Sequence, residues 1–222
     1  MQKGIIKITA LAVAAVLMAG TVLTGCNNSG TETVSTAESV QESQLKDEYE
    51  LVELDENTVY FADIDIKDYG KIIVKLDQKA APISCANFVA LANMGFYDGL
   101  TFHRIIEDFM MQGGNAEGTD KEGIAPMIKG EFSANGVDNP LLHTRGAISM
   151  ARRNSPMDSA SSQFFIVHKT YPSLDGNYAC FGYVTDGMDV VDKICTEAEP
   201  IDNNGTIEKE KQPVINSIRI RT

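Results

Sequence analysis

Tryptophan is absent from this 222-residue chain, and cysteine (four) and histidine (three) are scarce. Cys26, Cys85, Cys180 and Cys195 show no Cys-x-x-Cys spacing, and His103, His143 and His168 lie apart from them and from one another. A protein metal site needs such donors clustered at short spacings, so no metal is expected. A basic stripe is missing too: 19 Lys and Arg stand against 31 Asp and Glu, for a formal net charge of −12. Nucleic-acid binding and electrostatic docking on anionic lipid both require clustered cations, so neither is expected. No internal repeat is visible. What is present, 43% hydrophobic and 23% charged residues, suits one globular domain with something appended.

The appendage is N-terminal. Lys3 and Lys7 precede an apolar run from Ile8 to Val22, too short for a comfortable membrane span and typical of a secretory signal. The run ends in Leu23-Thr24-Gly25-Cys26, a pattern like a bacterial lipoprotein processing box. Residues 1–25 therefore read as a lipoprotein signal peptide and Cys26 as the lipidated residue. Two or three acyl chains there would anchor the chain stably, where a single chain is marginal. The expected location is extracytoplasmic, lipid-anchored to a bacterial cell membrane. Residues 26–53 shift to Asn, Ser, Gly, Thr, Glu and Gln and read as a lipidated, disordered tether. Such a length reaches roughly 25–30 Å.

Residues 54–222 read as the folded domain. Val59 to Ile66 alternates, Asp68-Tyr69-Gly70 signals a turn, and Ile72 to Leu76 follows, which together predict a hairpin. Pro82 opens and Gly95 closes a helix with a broad apolar face. Short apolar pieces at 100–106, 109–113, 146–151, 163–168 and 180–184 are separated by Gly, Asn and Asp turns. A second helix follows with Asp186 as its N-cap, and Val214 to Ile220 alternates as a last strand. This pattern predicts a mainly β fold: a closed antiparallel barrel capped by two α-helices, with a β-sandwich as the alternative. With Cys26 lipidated, Cys85, Cys180 and Cys195 leave at least one thiol unpaired. Buried free thiols are the expectation, and a bridge such as Cys85–Cys195 the alternative.

The stretch from Phe102 to Gly114 is odd for either a core strand or a loop. It sets Arg104 among apolar residues, where a lone charge is costly unless it has a partner or a task. A structural ion pair with Glu107 or Asp108 is one outlet. Ser149 with His143 and an aspartate suggests a hydrolase. However, Gly146-Ala147-Ile148-Ser149-Met150 lacks the second glycine of a nucleophile elbow.

Three blocks carry a resemblance. They are Phe102-His103-Arg104 with Phe109-Met110 and Gln112-Gly113-Gly114; Arg145 to Arg152; and Ser159 to Ile166 with Leu174-Asp175-Gly176 and Phe181-Gly182. In this order and spacing the chain resembles the cyclophilin family of peptidyl-prolyl isomerases, in its compact bacterial form, from about Val59 to Ile220. The resemblance implies an eight-stranded barrel closed by two helices. It implies that Arg104 is the catalytic arginine, supported by Gln112. Phe109, Met110, Phe165 and Leu174 fall on the pocket that takes the proline ring. His103, Ala151, Arg152 and Tyr178 fall on groove positions that contact substrate, Arg152 largely through its backbone. Rotation of an X–Pro bond makes and breaks no bond, so the resemblance implies no cofactor. The implied partners are proline-containing polypeptides, unfolded exported proteins among them, met by a monomer held at the membrane through Cys26. A lipid-anchored chaperone or adhesin with a vestigial isomerase site is the alternative.

The sequence departs from the animal cytosolic members at several points. Ser173 stands where they carry a tryptophan that contacts cyclosporin, and Tyr178 replaces a histidine. The loop Gly118 to Gly123 is poorer in glycine and more charged than usual, and Asn154 to Ser161 is longer.

Overall fold

The computed structural model describes residues 49–222, so the expected signal peptide, Cys26 and most of the expected tether lie outside the described residues. Eight strands form one antiparallel sheet, β1 Phe61–Ile66, β2 Gly70–Leu76, β3 Phe102–Ile106, β4 Met110–Gly113, β5 Ala147–Met150, β6 Phe164–Val167, β7 Cys180–Asp186 and β8 Ile215–Arg221. Their order across the sheet is β3-β4-β6-β5-β7-β2-β1-β8. Two helices, α1 Pro82–Asn93 and α2 Met188–Glu197, complete the fold.

The sheet curls but does not close by a ladder, which corrects the closed barrel expected from the strand pattern. Its two ends are β3 and β8. They meet through one isolated bridge, Thr101 with Val214. Phe102 N–H donates to the Pro213 carbonyl at 2.9 Å and Ile215 N–H to the Leu100 carbonyl at 2.8 Å. The seam is therefore made by residues just outside the two strands. A sandwich is excluded, because every strand belongs to the same sheet.

The predicted hairpin forms as β1 and β2, turning at Asp68, which takes a left-handed φ of 65°. Helix α1 packs against β7 and β8, and α2 against β2 and β4. Phe88 of α1 enters the sheet's concave core, its ring centroid 5.2 Å from Tyr97 and from Phe181 and 5.4 Å from Phe164. Pro82 starts α1 as expected, but no neighbouring side chain caps it. The buried carboxylate of Glu131 does so from 47 residues away, accepting from Ser84 N–H at 2.7 Å and Ile83 N–H at 2.9 Å. Asp186 is not the cap of α2; it ends β7, and Gly187 at φ 86° holds the cap position without a side-chain bond. That left-handed turn is what glycine supplies. Cys85, Cys180 and Cys195 are all free and buried, so the bridge alternative falls. Folded contacts begin before residue 54: the Tyr49 hydroxyl donates to Asn87 at 2.8 Å, and Val52 packs on the core.

Strands β4, β5 and β6 are buried on both faces. Phe164-Phe165-Ile166-Val167 is buried throughout. Phe164 and Ile166 belong to the concave core, while Phe165 and Val167 join a second cluster with Met110, Leu174 and Cys180 on the opposite face. Alternation along a strand sends neighbours to opposite sides, so a continuous apolar run supplies two cores at once. The second of these floors the site.

Candidate active site

A cavity of about 150 Å³ opens on this outer face. Its floor is Met110 from β4, Phe165 from β6 and Leu174 from the single-turn helix Pro172–Leu174. Phe109, from the β3–β4 turn, and Tyr178 stand at its sides, with Ala151 and Arg152 after β5. Arg104 and Gln112 bring the polar groups. Nine of the ten catalytic and substrate-contact residues expected from the sequence thus line one cavity.

His103 is the tenth, and it does not line the cavity. The register slips between Phe102 and Arg104, so His103 sits in a β-bulge. Its Nδ1 is buried without a partner. Burial and the adjacent Arg104 charge push its pKa below the ordinary 6.5, favouring the neutral ring. The bulge also sets Arg104 opposite Gln112, which in turn lies opposite Phe165.

Arg104 is held at two of its three nitrogens. Nε donates to the Asn204 carbonyl at 2.7 Å. Nη1 donates to Gln112 Oε1 at 3.3 Å and lies 3.7 Å from the Met110 sulfur. Nη2 has no protein partner among the described residues. The structural ion pair with Glu107 or Asp108 does not form; Asp108 instead pairs with Lys169 at 3.0 Å. Burial pulls the Arg104 pKa down from 12.5, opposed by the fields of Tyr178 and Asp202. An arginine starts so high that it stays charged throughout the working pH range.

Gln112 is itself fixed. Its amide donates to Gln163 Oε1 at 2.9 Å, and Gln163 donates to Asn115 at 3.1 Å. Asn204 was not singled out from the sequence. The signal was present in Asp202-Asn203-Asn204-Gly205: the Asp202 carboxylate accepts from Asn204 N–H at 2.9 Å and Thr206 N–H at 3.0 Å. This Asx turn lays residues 204–207 along β3, with Ile105 N–H donating to the Gly205 carbonyl at 2.8 Å. A side chain at Gly205 would run into Ile105 and Ile106.

The aromatic wall is braced from behind. The Phe165 and Tyr178 rings meet edge to face at 5.6 Å, and His143 stacks on Phe165 at 6.0 Å. His143 is tied to Asp175, its Nδ1 lying 2.9 Å from the carboxylate. The His–Asp pair suggested by the sequence is therefore real. It has no nucleophile, however: Ser149 is fully buried and its Oγ makes no hydrogen bond to the imidazole. Phe109 rests on Tyr171 at 4.4 Å. Its turn is pinned by His168, which accepts from Asp108 N–H at 2.9 Å and reaches Asp192 of α2 at 3.1 Å.

The arrangement is an apolar cup with permanently charged donors at its rim, Arg104 beside Gln112 and Arg152 beside Tyr178. It can hold a small apolar ring and offer a hydrogen bond beside it, without a general base or nucleophile in reach. Comparison with known proteins agrees. The family model for the cyclophilin type peptidyl-prolyl cis-trans isomerase/CLD domain matches residues 61–221. Peptidyl-prolyl cis-trans isomerase B of Bacillus subtilis is 43% identical over 145 residues, covering 65% of this chain and 92% of that protein. A peptidyl-prolyl cis-trans isomerase of Acinetobacter baylyi is 44% identical over 161 residues, covering 69% and 81%. A crystal structure of a Cryptosporidium parvum cyclophilin type peptidyl-prolyl cis-trans isomerase, in the presence of the dipeptide Ala-Pro, superposes with a TM-score of 0.61 at 28% identity. It covers 73% of this chain and 99% of that one. The match spans the whole eight-stranded sheet and the cup on its outer face, and the chain belongs to the cyclophilin-type peptidyl-prolyl cis-trans isomerases.

Proposed function

We propose that Arg104 drives the isomerisation by donating from Nη2 to the prolyl nitrogen of a substrate whose ring sits on Phe109, Met110, Phe165 and Leu174. A planar X–Pro amide faces a rotation barrier of roughly 18–20 kcal/mol. Twisting breaks the resonance and leaves a lone pair on nitrogen. A donor aimed there favours the twisted state over the planar one, which is differential binding of the transition state. The observation that carries this reading is the guanidinium fixed by Asn204 and Gln112 with Nη2 free beside an apolar cup. One preorganised donor is typically worth about 2.7–4 kcal/mol. Arg104→Ala should therefore lower kcat/KM on an Ala-Pro peptide by about 100-fold or more, with its circular dichroism unchanged. Near-normal turnover by that variant would sink the mechanism.

The same proposal places the enzyme outside the cytoplasm, tethered through lipid on Cys26 and acting on exported chains as they fold. Its support is the signal-like run ending in Leu23-Thr24-Gly25-Cys26 and the polar stretch after it. A proline-containing polypeptide is the substrate class, which the Ala-Pro dipeptide in the related Cryptosporidium structure supports.

A further inference from the structure

The six arginines divide cleanly. Three lie away from the site and each is matched by a carboxylate: Arg145 with Asp192 at 2.7 Å, Arg219 with Asp98 at 2.6 Å and Arg221 with Asp63 at 3.0 Å. The other three, Arg104, Arg152 and Arg153, line the site or its continuation, and among the described residues none of them has an ion-pair partner. In a chain with 31 acidic residues, leaving three guanidiniums unneutralised on one surface is a feature that needs a cause.

Their surroundings supply one. The proline cup continues past Gln112, Ala151 and Arg152 into a second cavity of about 270 Å³, which adds Met127, Arg153, Ser159, Ser161 and Gln163. No carboxylate lines either cavity. Glu117 and Glu122 enter in the adjoining cavity, which Arg153 also lines and where Lys121 stands with them. Arg152 is fixed without losing its charge. Its Nε donates to the Asn177 carbonyl at 2.9 Å and Nη1 to the Arg153 carbonyl at 2.8 Å. Its guanidinium lies 4.8 Å from the Phe132 ring centroid and 4.9 Å from that of Tyr178. Carbonyls and ring faces orient a cation but do not cancel it. Arg153 is exposed and its guanidinium makes no hydrogen bond among the described residues.

We infer that this second cavity is a specificity subsite for an acidic side chain, Asp or Glu, flanking the substrate proline, with Arg153 as its determinant and Arg152 as its fixed wall. The inference rests on the isomerase reading. A carboxylate entering there meets two cations, Arg152 and Arg153, and no carboxylate in the cavity's own lining, whereas a lysine is repelled. The preference is local, because charges more than a Debye length away, about 8 Å at physiological salt, are screened. The excess negative charge of the rest of the chain therefore does not cancel it.

The test is kcat/KM by NMR exchange on a peptide series with an Ala-Pro parent, placing Glu, Gln or Lys in turn at each of the positions flanking proline. At one position Glu should exceed Lys by about fivefold or more at physiological salt, chiefly through KM, and salt of about 1 M should narrow the gap. Arg153→Glu should invert that ratio and Arg153→Lys should largely keep it. Glu and Lys within about twofold of each other at every position, or a gap that survives in Arg153→Glu, would overturn the subsite. Failure of the wild type to turn over the Ala-Pro parent would overturn the isomerase reading instead, and the subsite with it.

Discussion

Arg104 shows how one residue can be both restrained and available. Asn204 and Gln112 hold Nε and Nη1, so the guanidinium loses little freedom when Nη2 engages a ligand. Its neighbour His103 is spent differently, in a bulge that shifts register and leaves its Nδ1 buried without a partner. This has a consequence for pH. His103 and His143 both have pKa values held below 6.5, chiefly by burial, although Asp175 opposes the shift at His143. Below 6.5 the unfolded chain binds protons there that the folded chain refuses. Stability should be level from pH 8 to about 6.5 and fall as pH drops further, read as the urea midpoint. His103→Leu should make that fall shallower. The acidic groups with lowered pKa, such as Asp158 and Asp202, start near 3.8, so their loss belongs to a separate, lower window. Turnover per folded molecule should stay flat from pH 6 to 8, because Arg104 does not titrate there. A midpoint that rises between pH 6.5 and 5.5 would show that the imidazoles charge in place.

Among the elements, α1 is the one whose stability is least local. Nearly all of its faces are buried, yet its N-terminal N–H groups have no cap nearby in sequence. Glu131, 2% exposed, accepts from Ile83 N–H, Ser84 N–H and the Ser84 hydroxyl. A carboxylate at a helix N-terminus satisfies orphan donors and complements the helix dipole. Glu131→Ala should destabilise the fold by about 2–4 kcal/mol, seen as a lower urea midpoint with an unchanged slope. Glu131→Gln should lose less, since it keeps an acceptor. Equal midpoints for Glu131→Ala and wild type would remove Glu131 from this role. The strands were easier to foresee. The alternation in β1 and β8 and the turn at Asp68 were legible because period and turn chemistry are local. The cap of α2 was misread because Asp186 and Gly187 are both plausible punctuation. The choice between them was made by β7, which runs on to Asp186 against Ile73 of β2.

For the whole molecule, the described domain spans the family match, and the proposed address rests on the signal-like run alone. If Cys26 bears lipid, Cys26→Ser should move the enzyme from the membrane fraction to the soluble extracytoplasmic fraction. Its kcat/KM should be unchanged, because none of the residues that line the cup lies near Cys26 in the chain and all belong to the described domain. A Cys26→Ser protein that stays with the membrane through alkaline washing would rule out the lipid anchor. No described helix is long and apolar enough to cross a membrane.

By itself, the sequence determined the eight short strands, the two helices and nearly all the residues that line the cup. It could do so because period-two burial, Pro and Gly punctuation and three motif blocks are written in near neighbours. Tertiary structure alone decided the rest. It left the sheet curled with a one-bridge seam, moved His103 into a bulge, recruited Asn204 from 100 residues away to hold Arg104 and sent Glu131 to cap α1. It also sorted six arginines into three paired and three left bare along the groove. Each of these depends on which distant backbone groups the curl brings within hydrogen-bonding reach, and no local pattern encodes that distance.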